Sequence, residues 1–252
     1  MRRPAWIALV LACCAAAATW QWGSRAVGGA DSYGYVSQAD AWLTGEVVVH
    51  EPFFDQHPPP FSRLALAPLG WRSVVDGYDI VPRYSVGFPF MLSVAKRIGG
   101  QDALFAVVPL CVGLLVAMPY LLGRMLGRPL TGVLATALVA TSPAVLFMGI
   151  SPMSDIPSAA LWTTVIVLTL SEWIGAPVLG GAVAAMAILV RPNLVPIAAL
   201  CAVWLWIRDL RADRVRQPWM WRALWFLVPA SIGAIVNARI NTWLFGSPWQ
   251  SG

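Results

Sequence analysis

Apolar side chains run almost unbroken from Pro4 to Trp22, a polar stretch follows from 23 to 103, and apolar runs return at 104–122, 130–149 and 156–174. Each run approaches the ~20 residues that an α-helix needs to cross the hydrocarbon core of a bilayer. Two shorter runs, 177–190 and 193–207, flank Arg191-Pro192-Asn193, and a last one occupies 222–242. The pattern predicts an all-α polytopic membrane protein in which residues 1–252 form a single membrane domain of about seven membrane segments, the first at 4–22.

The excursion at 23–103 holds eight of the twelve acidic residues, the sequence HPPP at 57–60 and many Gly and Pro breakers. It reads as a long first external loop made of short surface helices joined by extended chain. One surface helix is expected over Tyr33 to Leu43, where Val36, Ala39 and Leu43 recur at helical spacing, and a second over Gly87 to Ile98.

Basic residues set the expected orientation. Arg2 and Arg3 precede the first run, which places the N-terminus in the cytoplasm. A cleaved signal peptide with its site in the alanine run 15–18, or a poorer lipoprotein match at Val10-Leu11-Ala12-Cys13, would still leave the next segment outside. The loop after 104–122 carries Arg124 and Arg128 without an acid, whereas SPMSDIPS at 151–158 has no base. Counting 177–207 as one crossing would put Arg208, Arg211, Arg214, Arg216 and Arg222 outside, so this segment reads as a helical hairpin with both ends inside. The expected location is a bacterial inner (plasma) membrane. The final LFGSPWQSG is loop chemistry, and the chain reads as stopping within a larger architecture.

Composition narrows the class. Hydrophobic residues make up 58% and charged residues 12% of the chain, against about 25% charged in an ordinary soluble domain. The net charge of +5 comes from sixteen Arg and one Lys, dispersed along the chain, and they serve as topology markers with no nucleic-acid partner implied. Cys13, Cys14, Cys111 and Cys201 all lie in apolar runs without metal-ligand spacing. His50 and His57 share the external loop without companion ligands, so no metal site is assigned.

Topology gathers Asp31, Asp155, Arg83 and Arg191 on one membrane face. Two carboxylates with guanidinium groups suit a reaction in which a hydroxyl is activated and a phosphate leaves. Each has a plainer reading. Asp31 and Asp155 stand where helix N-caps are favoured, Arg83 could be solvated or contact headgroups, and Arg191 could snorkel to the interface. Tyr33 and Tyr35 follow Asp31 and offer amphipathic rings at headgroup level.

The segments DSYGYVSQADAWLTGE, LAPLGW, VPRYSVGFPFMLSVAKRIGG, SPMSDIPSAALWTT and AILVRPNLVPI, in this order, resemble the N-terminal half of GT-C-fold glycosyltransferases. The likeness is to the protein O-mannosyltransferases and the lipid A aminoarabinose transferases. It implies a GT-C-like helical bundle that moves a sugar from a polyprenyl-phosphate donor to a lipid, glycan or protein acceptor outside the cytoplasm, with inversion at the anomeric carbon. It also implies Asp31 as the general base or acceptor-orienting group, and Asp155 as the acidic residue of the next short external loop that orients the acceptor or helps hold a divalent ion. Tyr33, Arg83, Tyr84 and Arg191 would bind substrate, and a divalent cation is an open question. Ser85-Val86-Gly87 stands where relatives carry a Pro-Pro-Gly-type element. The rival reading is a lipid- or glycolipid-binding transport protein without transferase chemistry. A bare structural membrane protein would leave the acidic external loop without a reason.

Overall fold

The computed structural model describes residues 2–52, 56, 67–73, 79–211 and 221–250. Helix α1 (Arg2–Gln21) is followed by α2 (Gly29–Thr44), which begins earlier than the expected surface helix and ends at Gly45, a left-handed residue whose N–H closes on the Ala41 carbonyl at 2.9 Å. The rest of the expected external loop holds strands where none was foreseen. Among its described residues, β1 (Val49–His50), β2 (Trp71–Ser73) and β3 (Asp79–Pro82) form an antiparallel sheet in the order β1-β3-β2; residues 53–55, 57–66 and 74–78 lie outside the described residues. Val49 pairs with Ile80, and Arg72 with Val81. The β-branched Ile80 and Val81 are buried, and pairing satisfies backbone groups that extended chain would leave open.

Helix α3 (Gly87–Met125) covers both the second expected surface helix and the 104–122 run, with non-helical backbone at Gly99 and Gly100 dividing the two. The 130–149 run, read as one span, is two helices, α4 (Pro129–Ala140) and α5 (Pro143–Gly149), bent by 55°. Pro143 explains the break, because the residue before a proline is pushed out of the helical region and Ser142 is extended (φ −64°, ψ 120°). Helix α6 (Asp155–Leu170) ends short of the expected 174, at the extended Ser171. Helix α7 (Ala176–Val190), a 3₁₀ turn at Pro192–Leu194, α8 (Val195–Arg211) and α9 (Arg222–Phe245) complete the chain.

Among the described residues, four helical segments are long and apolar enough to cross a membrane: 3–21, 87–125, 192–211 and 222–245. The bent α4–α5 pair would make a fifth, while α6 and α7 are shorter apolar helices. This is a multi-pass helical membrane protein. Two apolar cores hold it together. The first joins α1, α2, α3 and α6 around the fully buried Phe88, Leu92, Leu104 and Val112; the second joins α6 to α9 around Val165, Leu205 and Phe226.

The helix ends sort into two levels. At one, the Ser24 N–H donates to the Ile150 carbonyl at 2.7 Å, Gly87 packs on the backbone of Leu189 and Val190, and Leu244 packs with Val47 and Val81. At the other, Gly123 meets Gly132, Arg208 donates to the Thr169 and Ser171 carbonyls at 3.1 and 3.3 Å, and Arg222 Nε lies 3.9 Å from Asp209. The sheet and α2 lie at the first level.

Candidate functional site

Asp31 sits in the first turn of α2, where the helix dipole favours a carboxylate. The N-cap position itself belongs to Gly28, so the capping reading of Asp31 fails: its Oδ1 accepts a hydrogen bond from the Tyr84 hydroxyl at 2.5 Å. The local fold makes this contact possible. Gly34 of α2 and Gly70, which has φ +81°, approach so closely that a Cβ on either would overlap the other's backbone, and one on Gly34 would also overlap the Tyr84 ring. The Arg83 N–H donates to the Gly70 carbonyl at 3.0 Å, fixing the segment that carries Tyr84.

From Tyr84 the contacts continue inward. Its ring lies 4.7 Å from that of the buried Tyr35, which also packs edge-on to Phe88 at 5.0 Å. The Tyr35 hydroxyl shares a hydrogen bond with Ser154 Oγ at 2.9 Å. Arg191 reaches the same Ser154 Oγ at 3.4 Å and donates to Asp155 Oδ1 at 2.6 Å. Asp155 is the first residue of α6 and Ser154 its N-cap, so the capping reading fails here as well. Both carboxylates therefore belong to one network, Asp31–Tyr84–Tyr35–Ser154–Arg191–Asp155, drawn from α2, the β3–α3 connection, the α5–α6 loop and the α7–α8 turn.

The electrostatics follow from this packing. Burial, then the hydrogen bond and negative charge of Asp31, hold the Tyr84 phenol well above the ordinary tyrosine value, with Tyr35 adding and Arg83 opposing. Burial also raises Tyr35, against the hydrogen bond to Ser154. Both phenols therefore keep their protons at neutral pH, and that of Tyr84 donates to Asp31.

The other selected residues lie differently. Tyr33 is 42% exposed and outside the network. Arg83 is exposed, neighbours Tyr84, and has no side-chain hydrogen bond or ion pair among the described residues. Arg191 is only partly open, with 36% of its side chain exposed, and its charge is already matched by Asp155. His50 Nδ1 lies 3.3 Å from Asp79 Oδ1, and His57 falls outside the described residues. Among the described residues no three His, Cys, Asp or Glu side chains gather as a metal-binding group.

Sequence reasoning missed Tyr35 as a polar link, Ser154 as the shared partner, and the Lys96–Asp40 ion pair at 2.6 Å that ties α2 to α3. The signals were faint: a tyrosine on the apolar stripe of α2, and a serine beside an already selected aspartate. No family model matches the sequence, and neither a curated protein nor a solved structure matches it significantly. The likeness to GT-C transferases rests on the ordered motifs alone.

Proposed function

We propose that the chain is a membrane glycosyltransferase that moves a sugar from a polyprenyl-phosphate donor to a lipid, glycan or protein acceptor on the external face. The observation that carries this reading is the gathering of Asp31, Tyr84, Ser154, Asp155 and Arg191, from four separate segments, at one end of an apolar bundle. In the proposed reaction Asp31 takes the proton of the acceptor hydroxyl as its oxygen bonds to the anomeric carbon. The bond from that carbon to the phosphate oxygen breaks on the opposite side, and the lipid phosphate leaves with the electron pair, inverting the centre. Arg83, exposed beside Tyr84 and without a side-chain partner among the described residues, is free to meet the phosphate. Arg191 and Asp155 hold the far side of the site and orient the acceptor.

The same reading makes the fold a GT-C-like bundle of about seven membrane segments in a bacterial plasma membrane, with the N-terminus inside. Two observations support it. Arg191 bonds to the start of α6 and Arg208 to its end, so α6, α7 and α8 run between the same two levels. Exposed Trp6, Trp173, Trp206, Trp221 and Trp225 stand toward the arginine-rich level, and Trp22, Trp243 and Trp249 toward the other, as two interfacial belts would. Helix α6 rises only ~24 Å, which a bilayer accommodates by local thinning.

The test uses the full chain in phospholipid nanodiscs with polyprenyl-phosphate sugars extracted from bacterial membranes, and mass spectrometry of the products. The wild type is expected to release free polyprenyl phosphate and form a new glycoside, and Asp31→Asn to lose this by roughly 10²-fold or more, the scale of general-base assistance. Movement of the lipid-linked sugar between leaflets with no new glycoside would establish the transport reading instead.

A further inference from the structure

Tyr84 was selected from sequence as a substrate contact, but its surroundings give it a different task. Its ring is held by Gly34 on one helix and by the ring of Tyr35 at 4.7 Å, and its backbone by the Arg83–Gly70 bond at 3.0 Å. Its hydroxyl therefore has little freedom to move. Asp31, by contrast, is an exposed side chain on an open helix turn, and Tyr84 is its one hydrogen-bond partner among the described residues.

We infer that Tyr84 is the positioning residue of Asp31: the fixed phenol donates to one carboxylate oxygen and thereby orients the other toward the hydroxyl it deprotonates. This role rests on the transferase reading above. A free carboxylate on a helix turn samples several rotamers, and a base must stand within hydrogen-bond reach of the proton it takes. A short bond from a packed donor removes that freedom before substrate arrives. The Tyr84 phenol is suited to this because burial, Asp31 and Tyr35 together raise its titration against the opposing Arg83, so it stays protonated while Asp31 is charged. Proton transfer itself remains with Asp31, and Tyr84 neither gains nor loses a proton in the reaction.

Two measurements on the full chain in nanodiscs test the role. The first follows Tyr84 by ¹³Cζ-tyrosine NMR, assigned through the signal lost in Tyr84→Phe. Its titration is expected to lie above that of ordinary tyrosine and to fall toward it in Asp31→Asn; an unchanged titration overturns the pair. The second is a double-mutant cycle on initial transfer rates with the same extracted polyprenyl-phosphate sugars. Tyr84→Phe keeps the ring packing and is expected to lower kcat by roughly tenfold with KM for the donor unchanged. In the Asp31→Asn background the same change should cost nothing further. Equal costs in both backgrounds, or a rise in KM alone, would make Tyr84 a structural or substrate-binding residue and overturn the inference. A wild type without any transfer would sink the transferase reading and this role with it, while the titration would still report whether the pair exists.

Discussion

The Tyr35 hydroxyl lies 2.9 Å from Ser154 Oγ across 119 positions of sequence, and this bond joins α2 to the start of α6. Ser32 reinforces the junction, with its hydroxyl 3.4 Å from the Met153 sulfur. Through Ser154 the junction also meets Arg191, so α2 and the turn between α7 and α8 share one serine oxygen.

Replacing Tyr35 with Phe keeps the ring against Tyr84 and Phe88 and removes only the hydroxyl. Ser154 retains Arg191 as a partner, so the expected loss is about 1 kcal/mol, the usual net worth of one hydrogen bond. Thermal unfolding in nanodiscs, followed by tryptophan fluorescence, should show a lowered Tm with unchanged membrane insertion. An unchanged Tm would mean that the bond contributes nothing and that α2 is held by its apolar face alone.

Arg191 and Asp155 should behave as a coupled pair. Each is over a third exposed, so solvent screening limits their coupling to about 0.5–1 kcal/mol. Arg191→Gln combined with Asp155→Asn should therefore cost less stability than the sum of the single changes. Because Asp155 already matches the charge of Arg191, donor binding should respond more strongly to Arg83→Gln. A larger rise in donor KM from Arg191→Gln would return the phosphate contact to Arg191.

What the sequence made legible follows physical reach. Long apolar runs announce membrane helices because length alone decides whether a helix can cross, and the expected helix end at Ile98 falls where Gly99 and Gly100 divide α3, Gly100 at φ +73°, which glycine takes readily. The sheet escaped notice because strands of two to four residues carry too little alternation to read. Asp31 and Asp155 stood out as rare charges beside apolar runs. Tyr84 and Arg191 were picked out as substrate contacts, but their pairing with Asp31 and Asp155 was not legible, since a bond such as Tyr84 to Asp31 spans 53 positions and leaves no local pattern. Asp31 looked like a cap because the position of the first helical residue was misjudged, and helix ends are the least certain part of such readings.

Orientation is open to direct labelling. Glu46 and Leu126 are both exposed and lie at opposite levels of the bundle. With Cys13, Cys14, Cys111 and Cys201 replaced, a cysteine at position 46 should react with an impermeant maleimide in intact spheroplasts, and one at 126 only after lysis. The opposite result would invert the topology and remove the external face on which the proposed reaction depends. A further probe site, Gln217, lies outside the described residues.

Alkaline pH should reveal the two phenols. Tyr35 and Tyr84 both titrate above the ordinary tyrosine value of 10.0 in the folded protein, mainly through burial. For a group that is neutral when protonated, a raised folded value means that the native state binds the proton more tightly than the unfolded chain. Below pH 10 both states keep the proton, and the stabilisation is fully present. As pH rises past 10 the unfolded phenols ionise first, and stability falls until the folded values are reached. Tm is therefore expected to change little between pH 7 and 9 from this source and to drop steeply from pH 10 upward. Tyr84→Phe, lacking one of the two groups, should start from a lower Tm at pH 8 because it has lost the bond to Asp31, yet lose less on going from pH 9 to 11. Parallel Tm profiles for the wild type and Tyr84→Phe would mean that Tyr84 ionises alike in both states. The bond to Asp31 would then not hold its proton, and the fixed donor on which the positioning of Asp31 depends would be absent.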